Sequence, residues 1–430
     1  MIVHYNEAVA YLENLQIMPK SMPGLQKIKA ALDLTDWYKK IDPNKVIVVS
    51  GTNGKGTTCA ALERLLIEAR QKVGFYSSPH LISTTERIRI NGQQLSQKDF
   101  VELFNDCLPL IEKCQLTHFE ALTLMAGHYF FSSKWNSDLD FVILEVGLGG
   151  TYDATNAFPH KYCGITKLGV DHTNILGVNL LEIAKNKFGI VSNKNIVVHH
   201  ALPEEVLELK KSKQKETNSN WVEAEKYELT IKNNSPAPRY FLKYNNVTFE
   251  INLMGARAAE NIMTAISLFQ VLGFDSDIYY KGLNKISWAG RMQKTEWPDL
   301  KCPLYLSGDH NLQGVESLLE ILKDFKWKTL HLIVGIGVDK DADQMLKSFY
   351  KLNNVILYLT ETPFKGLKIN AYPEHYTKIA VEKNADVIAL LNGISSQAQV
   401  DDLVLVTGSL YLVGEVLKEL DKHASSENPL

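Results

Sequence analysis

The chain has 430 residues, 45% hydrophobic and 22% charged, with a formal net charge of −3. That length exceeds what one ordinary core supports, so two domains are expected, and the slight negative balance argues against a general nucleic-acid binder. Cys59, Cys107, Cys114, Cys163 and Cys302 are scattered, odd in number and form no CxxC pair, so they read as reduced thiols of a cytoplasmic protein, not a zinc site or disulfide frame. The opening MIVHYNEAVAYLENL carries acidic residues and no long apolar core, which predicts no signal peptide. No apolar run reaches the length that spans a membrane.

Residues 4–16 place Ala8, Val9, Tyr11, Leu12 and Leu15 at helical spacing; Pro19, Pro23 and Gly24 break the pattern, and a second helix follows at 25–34. Residues 46–49, all β-branched, suit a strand buried on both faces of a parallel sheet. Gly51, Thr52, Asn53, Gly54, Lys55, Gly56 and Thr57 come next, and then Leu62, Leu65, Leu66 and Ala69 recur at helical spacing. Strand, glycine loop and helix in that order build a phosphate cradle, with backbone N–H groups at a helix N-terminus and one lysine as a point charge. The spacing is not the usual one, since only Thr52 and Asn53 separate Gly51 from Gly54.

Residues 72–76 read as a strand ending in Ser77, Ser78, Pro79 and His80, and 97–112 as a helix. Thr117-His118-Phe119-Glu120 has the spacing of a capping box before an apolar helix. Residues 141–144 form another buried strand closed by Glu145, an acid placed to hold Mg²⁺ beside phosphates. A strand at 165–168 leads to Asp171-His172, and Lys187 sits on a following helix, where a lysine can also serve the helix dipole. Residues 203–250 read as solvated periphery, with a Lys-rich helix at 204–215 and hairpin-like strands near 238–251; a helix follows at 253–272. Ser287 to Arg291 reads as a linker. Beyond it, segments near 303–306, 311–324, 329–335, 341–350, 354–359, 379–392 and 402–407 alternate strand and helix, as in a second, smaller parallel sheet.

The GTNGKG loop, SSPHL…ERIRING at 77–92, EVGLGG…DATN at 145–156, DHxxxLG at 171–177 and VLVTGSLYLVGEV at 404–416 together resemble the folylpolyglutamate synthase and dihydrofolate synthase branch of the Mur ligase superfamily. The resemblance implies an α/β chain of two domains: a P-loop ATPase and folate-binding domain over 1–288, and a smaller Rossmann-like ligase domain over 289–430. It implies that Thr52, Asn53, Gly54, Lys55, Gly56, Thr57, Asn261 and Arg291 bind ATP. Ser78, Glu145 and His172 would place two Mg²⁺ ions, aided by a carbamylated Lys187. Pro79, His80, Thr117, His118, Phe119, Glu120, Tyr152, Asp153 and Ala154 would border the folate or pteroate. His310 would contact the acyl phosphate or the incoming L-glutamate.

Several positions depart from that pattern. Thr151-Tyr152 stand for Arg-Leu, Phe188 for alanine, Arg257-Ala258 for His-Gln, and Ala289 for proline. Ser307 stands for an aspartate that contacts ATP, while Asp309 lies two positions on. The expected activity is ATP-dependent addition of L-glutamate to dihydropteroate or a reduced folate, by a monomer needing neither nucleic acid nor membrane. A Mur-type ligase for another carboxylate, and a nucleotide-binding paralogue without ligase activity, stand as alternatives.

Overall fold

The computed structural model describes residues 2–16, 24–136, 138–232, 238–274, 277–286 and 288–427; Pro19, Pro23 and Ser287 lie outside them. The chain divides into two compact units. Met1–Glu228, Tyr244–Phe249 and Glu260–Ile286 make the first; Leu229–Lys243, Glu250–Ala259 and Ser287–Leu430 make the second. The sequence reading places residues 229–243 and 250–259 in the first domain. They group with the second unit, where the Tyr240 hydroxyl donates to Asp324 Oδ2 at 2.7 Å and Arg257 Nη1 donates to the Gln313 carbonyl at 2.6 Å.

The first unit is built on strands β1 (Val46–Ser50), β2 (Val73–Tyr76), β3 (Ile88–Ile90), β4 (Gln93–Gln94), β5 (Phe141–Glu145), β6 (Tyr162–Ile165), β7 (Ile196–His199) and β8 (Asn220–Glu223). Their order is β4-β3-β2-β5-β1-β6-β7-β8. The strands from β2 to β8 pair in parallel, and β3 and β4 add an antiparallel edge. All five residues of β1 are buried, as a central strand covered on both faces requires. Helices α1 (Tyr5–Asn14), α2 (Gln26–Asp33), α3 (Lys55–Glu68), α4 (Gln97–Lys113), α5 (His118–Phe131), α6 (Thr173–Leu176), α7 (Leu180–Lys187) and α8 (Leu207–Thr217) accompany the sheet. Leu12, Ile28, Val48, Phe104, Leu122 and Phe130 share one core that joins α1, α2, α4 and α5 to the sheet.

The strand expected at 165–168 lies at Tyr162–Ile165 instead. Beyond it the backbone turns to the glycine loop, where the Lys167 carbonyl accepts the Thr52 N–H at 2.9 Å. β7 and β8 are absent from the sequence reading. A three-stranded sheet follows, β9 (Glu228–Lys232), β10 (Arg239–Tyr244) and β11 (Val247–Ile251), and then α9 (Ala256–Val271).

The second unit's large sheet contains β12 (Gln293–Thr295), β13 (Leu304–Leu306), β14 (Leu330–Val334), β15 (Val355–Leu359), β16 (Glu382–Lys383) and β17 (Leu403–Thr407), ordered β12-β13-β17-β14-β15-β16. Only β12 pairs antiparallel. The helices are α10 (Leu312–Leu322), α11 (Ala342–Phe349), α12 (Glu374–Ile379), α13 (Val387–Ser395) and α14 (Leu410–Glu427). The single element read over 379–392 is broken by β16, and Asp386 starts α13 afresh by accepting the Ile388 N–H at 2.8 Å. Among the described residues no helix is long and apolar enough to cross a membrane.

Candidate active site

Neighbouring strands of the first sheet end level. Val49 pairs with Glu145, Tyr76 with Leu144, and Ser50 with Ile165. The segments leaving β2, β5, β1 and β6 therefore emerge side by side at the carboxyl edge, where parallel sheets bind ligands. They carry Ser78, Glu145, the glycine loop and His172 in that order across the edge.

The loop is held from behind. Thr52 and Asn53 N–H groups donate to the Lys167 carbonyl at 2.9 and 3.4 Å, the Thr52 hydroxyl donates to the Gly169 carbonyl at 2.9 Å, and the Thr166 hydroxyl donates to the Asn53 carbonyl at 2.8 Å. Gly54, at φ +93°, is the N-cap of α3 and has no side chain to offer the first turn, so the amides of Lys55, Gly56 and Thr57 face the ligand side of a helix N-terminus. A Cβ on Gly54 would come within 2.1 Å of Asn261 Oδ1, which places the buried Asn261 directly against the loop.

Two lysines converge on one carbonyl. Lys187 Nζ donates to the Gly51 carbonyl at 2.7 Å, and Lys55 Nζ donates to it at 3.2 Å and to the Thr52 carbonyl at 3.4 Å. Lys187 is 3% exposed. Burial, and after it the Lys55 charge, hold its ammonium well below the usual lysine range, against the opposing pull of Asp171 and Asp153. The Ser78 N–H donates to Glu145 Oε2 at 3.1 Å, so the two residues named for metal are neighbours; the Ser78–Pro79 peptide is cis. His172 adopts a left-handed conformation at φ +51°, its N–H donating to Asp171 Oδ1 at 2.8 Å.

Thr117 and Glu120 form the expected capping box: the Thr117 N–H and hydroxyl donate to Glu120 Oε2 at 2.9 and 2.8 Å. Glu120 Oε1 is buried with no hydrogen-bond partner among the described residues. Phe119 packs 5.9 Å from the Tyr76 ring and leaves no room for a side chain at Gly147. His80 Nδ1 accepts Arg87 Nε–H at 2.8 Å, and burial with the Arg87 charge lowers its pKa to about 3, so it is a neutral acceptor. His118 Nδ1 lies 2.9 Å from the Leu12 carbonyl.

The buried carboxylate of Asp153 accepts from Leu148 N–H, Thr155 N–H and the Thr155 hydroxyl at 2.9, 3.1 and 2.6 Å. It braces the turn after β5. Tyr152 is 47% exposed, and Ala154 is buried. Sequence reasoning also missed what Thr151 does. Its N–H and hydroxyl both donate to the Asn186 carbonyl at 2.9 Å, clamping the end of α7 next to Lys187. The signal was available, since the last carbonyls of a helix need donors.

On the second unit β13 ends at Leu306, so Ser307 to His310 lie beyond the strand and Asp309 holds no strand position. Instead Asp309 reaches back, and its Oδ2 accepts the Ser307 hydroxyl at 2.5 Å. Arg291 Nη1 lies 3.9 Å from Asp309 Oδ1. His310 Nδ1 faces the Gly308 carbonyl at 2.8 Å, and burial, with the Arg291 and Lys340 charges, lowers its pKa.

The description Mur ligase middle domain matches residues 49–269, and Mur ligase, glutamate ligase domain, matches residues 290–410. With a glycine loop at the edge of one parallel sheet and a second parallel sheet after it, the chain is an ATP-dependent ligase of the Mur class. Within that class it belongs to the dihydrofolate synthase/folylpolyglutamate synthase family. The Bacillus subtilis protein of that name is 31% identical over 422 residues, covering 93% of this chain and 95% of the relative. Among solved structures, Escherichia coli FolC in complex with ADP superposes with a TM-score of 0.82 at 26% identity, covering 98% of both chains. A bifunctional folylpolyglutamate synthase/dihydrofolate synthase with Mn, AMPPNP and L-glutamate bound gives 0.81 at 28% identity, covering 97% of this chain and 98% of that one.

Proposed function

We propose that this ligase joins the amino group of L-glutamate to a carboxylate of dihydropteroate, of a reduced folate, or of both, by way of an acyl phosphate. The observation that carries this reading is the convergence of the glycine loop, the Ser78–Glu145 pair and buried Lys187 at one edge of one sheet. The bifunctional name of the Bacillus relative, and the nucleotide, metal and glutamate in the solved neighbour, support it.

In this reading the β- and γ-phosphates of ATP lie against the amides of Gly54, Lys55, Gly56 and Thr57. The Lys55 ammonium sits beside them, and Asn261 and Arg291 contact the nucleotide. A carboxylate oxygen of the acid substrate attacks the γ-phosphorus, the bond to the bridging oxygen of ADP breaks, and an acyl phosphate results. The glutamate nitrogen then attacks the acyl carbon, phosphate leaves, and the nitrogen sheds its proton to give the amide. Positioning dominates: holding the reacting groups together is worth roughly 7 kcal/mol or more. Pro79, His80, the 117–120 segment and the 152–154 segment wall the acid's site, and His310 contacts the acyl phosphate or the glutamate.

Among the described residues no group of three or more His, Cys, Asp or Glu side chains is arranged to hold a metal. The adjacent Ser78 and Glu145 nevertheless suit Mg²⁺, which takes few protein ligands and completes its shell with phosphates and water. Those two residues, His172 and carbamylated Lys187 would hold two ions, which when bound supply positive charge that offsets the charge on the phosphates. Burial prepares Lys187 for its part. A neutral amine forms an N–C bond with CO₂ and loses a proton, replacing a cation with an anionic oxygen ligand.

A different acid substrate is a second reading, favoured by Thr151, whose hydroxyl is spent on a backbone carbonyl where the family pattern has a cation. Both are tested by ADP release with ATP and either dihydropteroate or tetrahydrofolate, with and without L-glutamate, followed by product mass. The proposal expects dependence on acid and glutamate and a gain of one glutamyl unit. ADP release indifferent to both would overturn it, and dependence on glutamate without either pterin acid would favour the second reading.

A further inference from the structure

We infer that Asp309 is the positioning residue for Arg291, and that Ser307 in turn fixes Asp309; this rests on the reading of Arg291 as a nucleotide contact. Asp309 lies in the turn between β13 and α10, with its side chain 16% exposed. A carboxylate so enclosed needs donors or a cation beside it. The Ser307 hydroxyl donates to Oδ2 at 2.5 Å. Oδ1 lies over the first turn of α10, where a Cβ on Gly314 would come within 2.9 Å of it, so glycine there keeps the place open. Helix N-termini favour such a charge. Asn311 caps the same turn by accepting the Gly314 N–H at 2.7 Å.

With Oδ2 held by the Ser307 hydroxyl, the carboxylate presents Oδ1 as a negative charge to Arg291 Nη1 at 3.9 Å. That separation exceeds hydrogen-bond reach, so Asp309 orients the guanidinium by charge without consuming its donors. The turn is also tied to the residue before the arginine, since the Gly308 N–H donates to the Gly290 carbonyl at 2.7 Å. Arg291 and Asp309 thus keep one register. Position 307, an aspartate in the family pattern, supplies here only the hydroxyl that steadies the acid two residues on.

The test is calorimetric titration of the full chain with AMPPNP and Mg²⁺, which needs no knowledge of the acid substrate. Thermal midpoints are recorded for every variant. Arg291→Ala and Asp309→Asn should each weaken binding about tenfold, and Ser307→Ala about threefold. Gly314→Ala, which crowds the carboxylate without removing it, should act like Asp309→Asn. In the Arg291→Ala background Asp309→Asn should cost less than about twofold more, because the group it positions is gone. If Arg291→Ala binds normally, the nucleotide reading of Arg291 is wrong and the inference falls with it. If Arg291→Ala weakens binding but Asp309→Asn does not, or Asp309→Asn costs the same in both backgrounds, the positioning role is overturned and the nucleotide reading stands.

Discussion

At the scale of single residues, Lys187 separates a carbamate-dependent ligase from a plain nucleotide hydrolase. An ordinary lysine, with pKa about 10.4, would be a cation repelled by Mg²⁺. Here burial and Lys55 favour the neutral amine. Lys187→Ala should abolish turnover, and added short carboxylic acids should restore a measurable rate by supplying the missing anion. Lys187→Arg should stay inactive, because it keeps the charge and forms no such carbamate. A fully active arginine variant would return Lys187 to a helix-end role. Glu145 makes a companion case. Glu145→Gln preserves shape and removes charge, so the Mg²⁺ requirement should rise by about tenfold or more, with partial rescue at high Mg²⁺. An unchanged Mg²⁺ titration would remove Glu145 from the metal shell.

At the scale of elements, the junction of β1 and α3 depends on glycine for two separate reasons. Gly54 has φ +93°, and a Cβ there would meet Asn261 Oδ1 at 2.1 Å. A left-handed conformation costs a side-chain-bearing residue about 1–2 kcal/mol, before any collision is counted. Gly54→Ala should therefore lower the thermal midpoint by several degrees and abolish the stabilisation that AMPPNP confers. Adding Asn261→Ala removes the collision but not the strained backbone, so it should recover part of the midpoint. Recovery to the parent value would show that φ carries no cost here, and no loss at all would show that the loop tolerates a side chain.

For the molecule as a whole, several buried or half-buried histidines resist protonation. The pKa of His80 is lowered from 6.5 to about 3 and that of His200 from 6.5 to about 4, in both cases first by burial and then by a neighbouring cation. Below pH 6.5 the unfolded chain takes up protons that the folded chain refuses, so stability falls with falling pH until the folded values are reached. Each such histidine contributes a slope of up to about 1.4 kcal/mol per pH unit. Urea midpoints should decline from pH 6.5 toward 4, and His200→Gln should flatten that decline. A profile level across the window, or one unaffected by His200→Gln, would contradict this account.

Much of this protein was legible along the chain. The β-branched run before Gly51, the capping box at Thr117 and Glu120, and the strand closed by Glu145 depend on near neighbours, and local pattern is what a sequence displays. The alternation of strands and helices was enough to expect parallel sheets, and the Mur-type motifs to expect a ligase. What only the tertiary structure decided is which distant groups meet. Sheet order, not chain order, sets Ser78 beside Glu145 and brings Lys187 to the carbonyl of Gly51. Asp153 stands in the sequence only as a candidate substrate-site residue, and the fold adds that it braces its own turn, its oxygens accepting from Leu148 and Thr155. Thr151 looks like a lost charge and is a clamp on the end of α7. Spacing names the chemistry a residue can do, but a polar group is committed by whichever partner lies within hydrogen-bond reach, and that partner is chosen by packing.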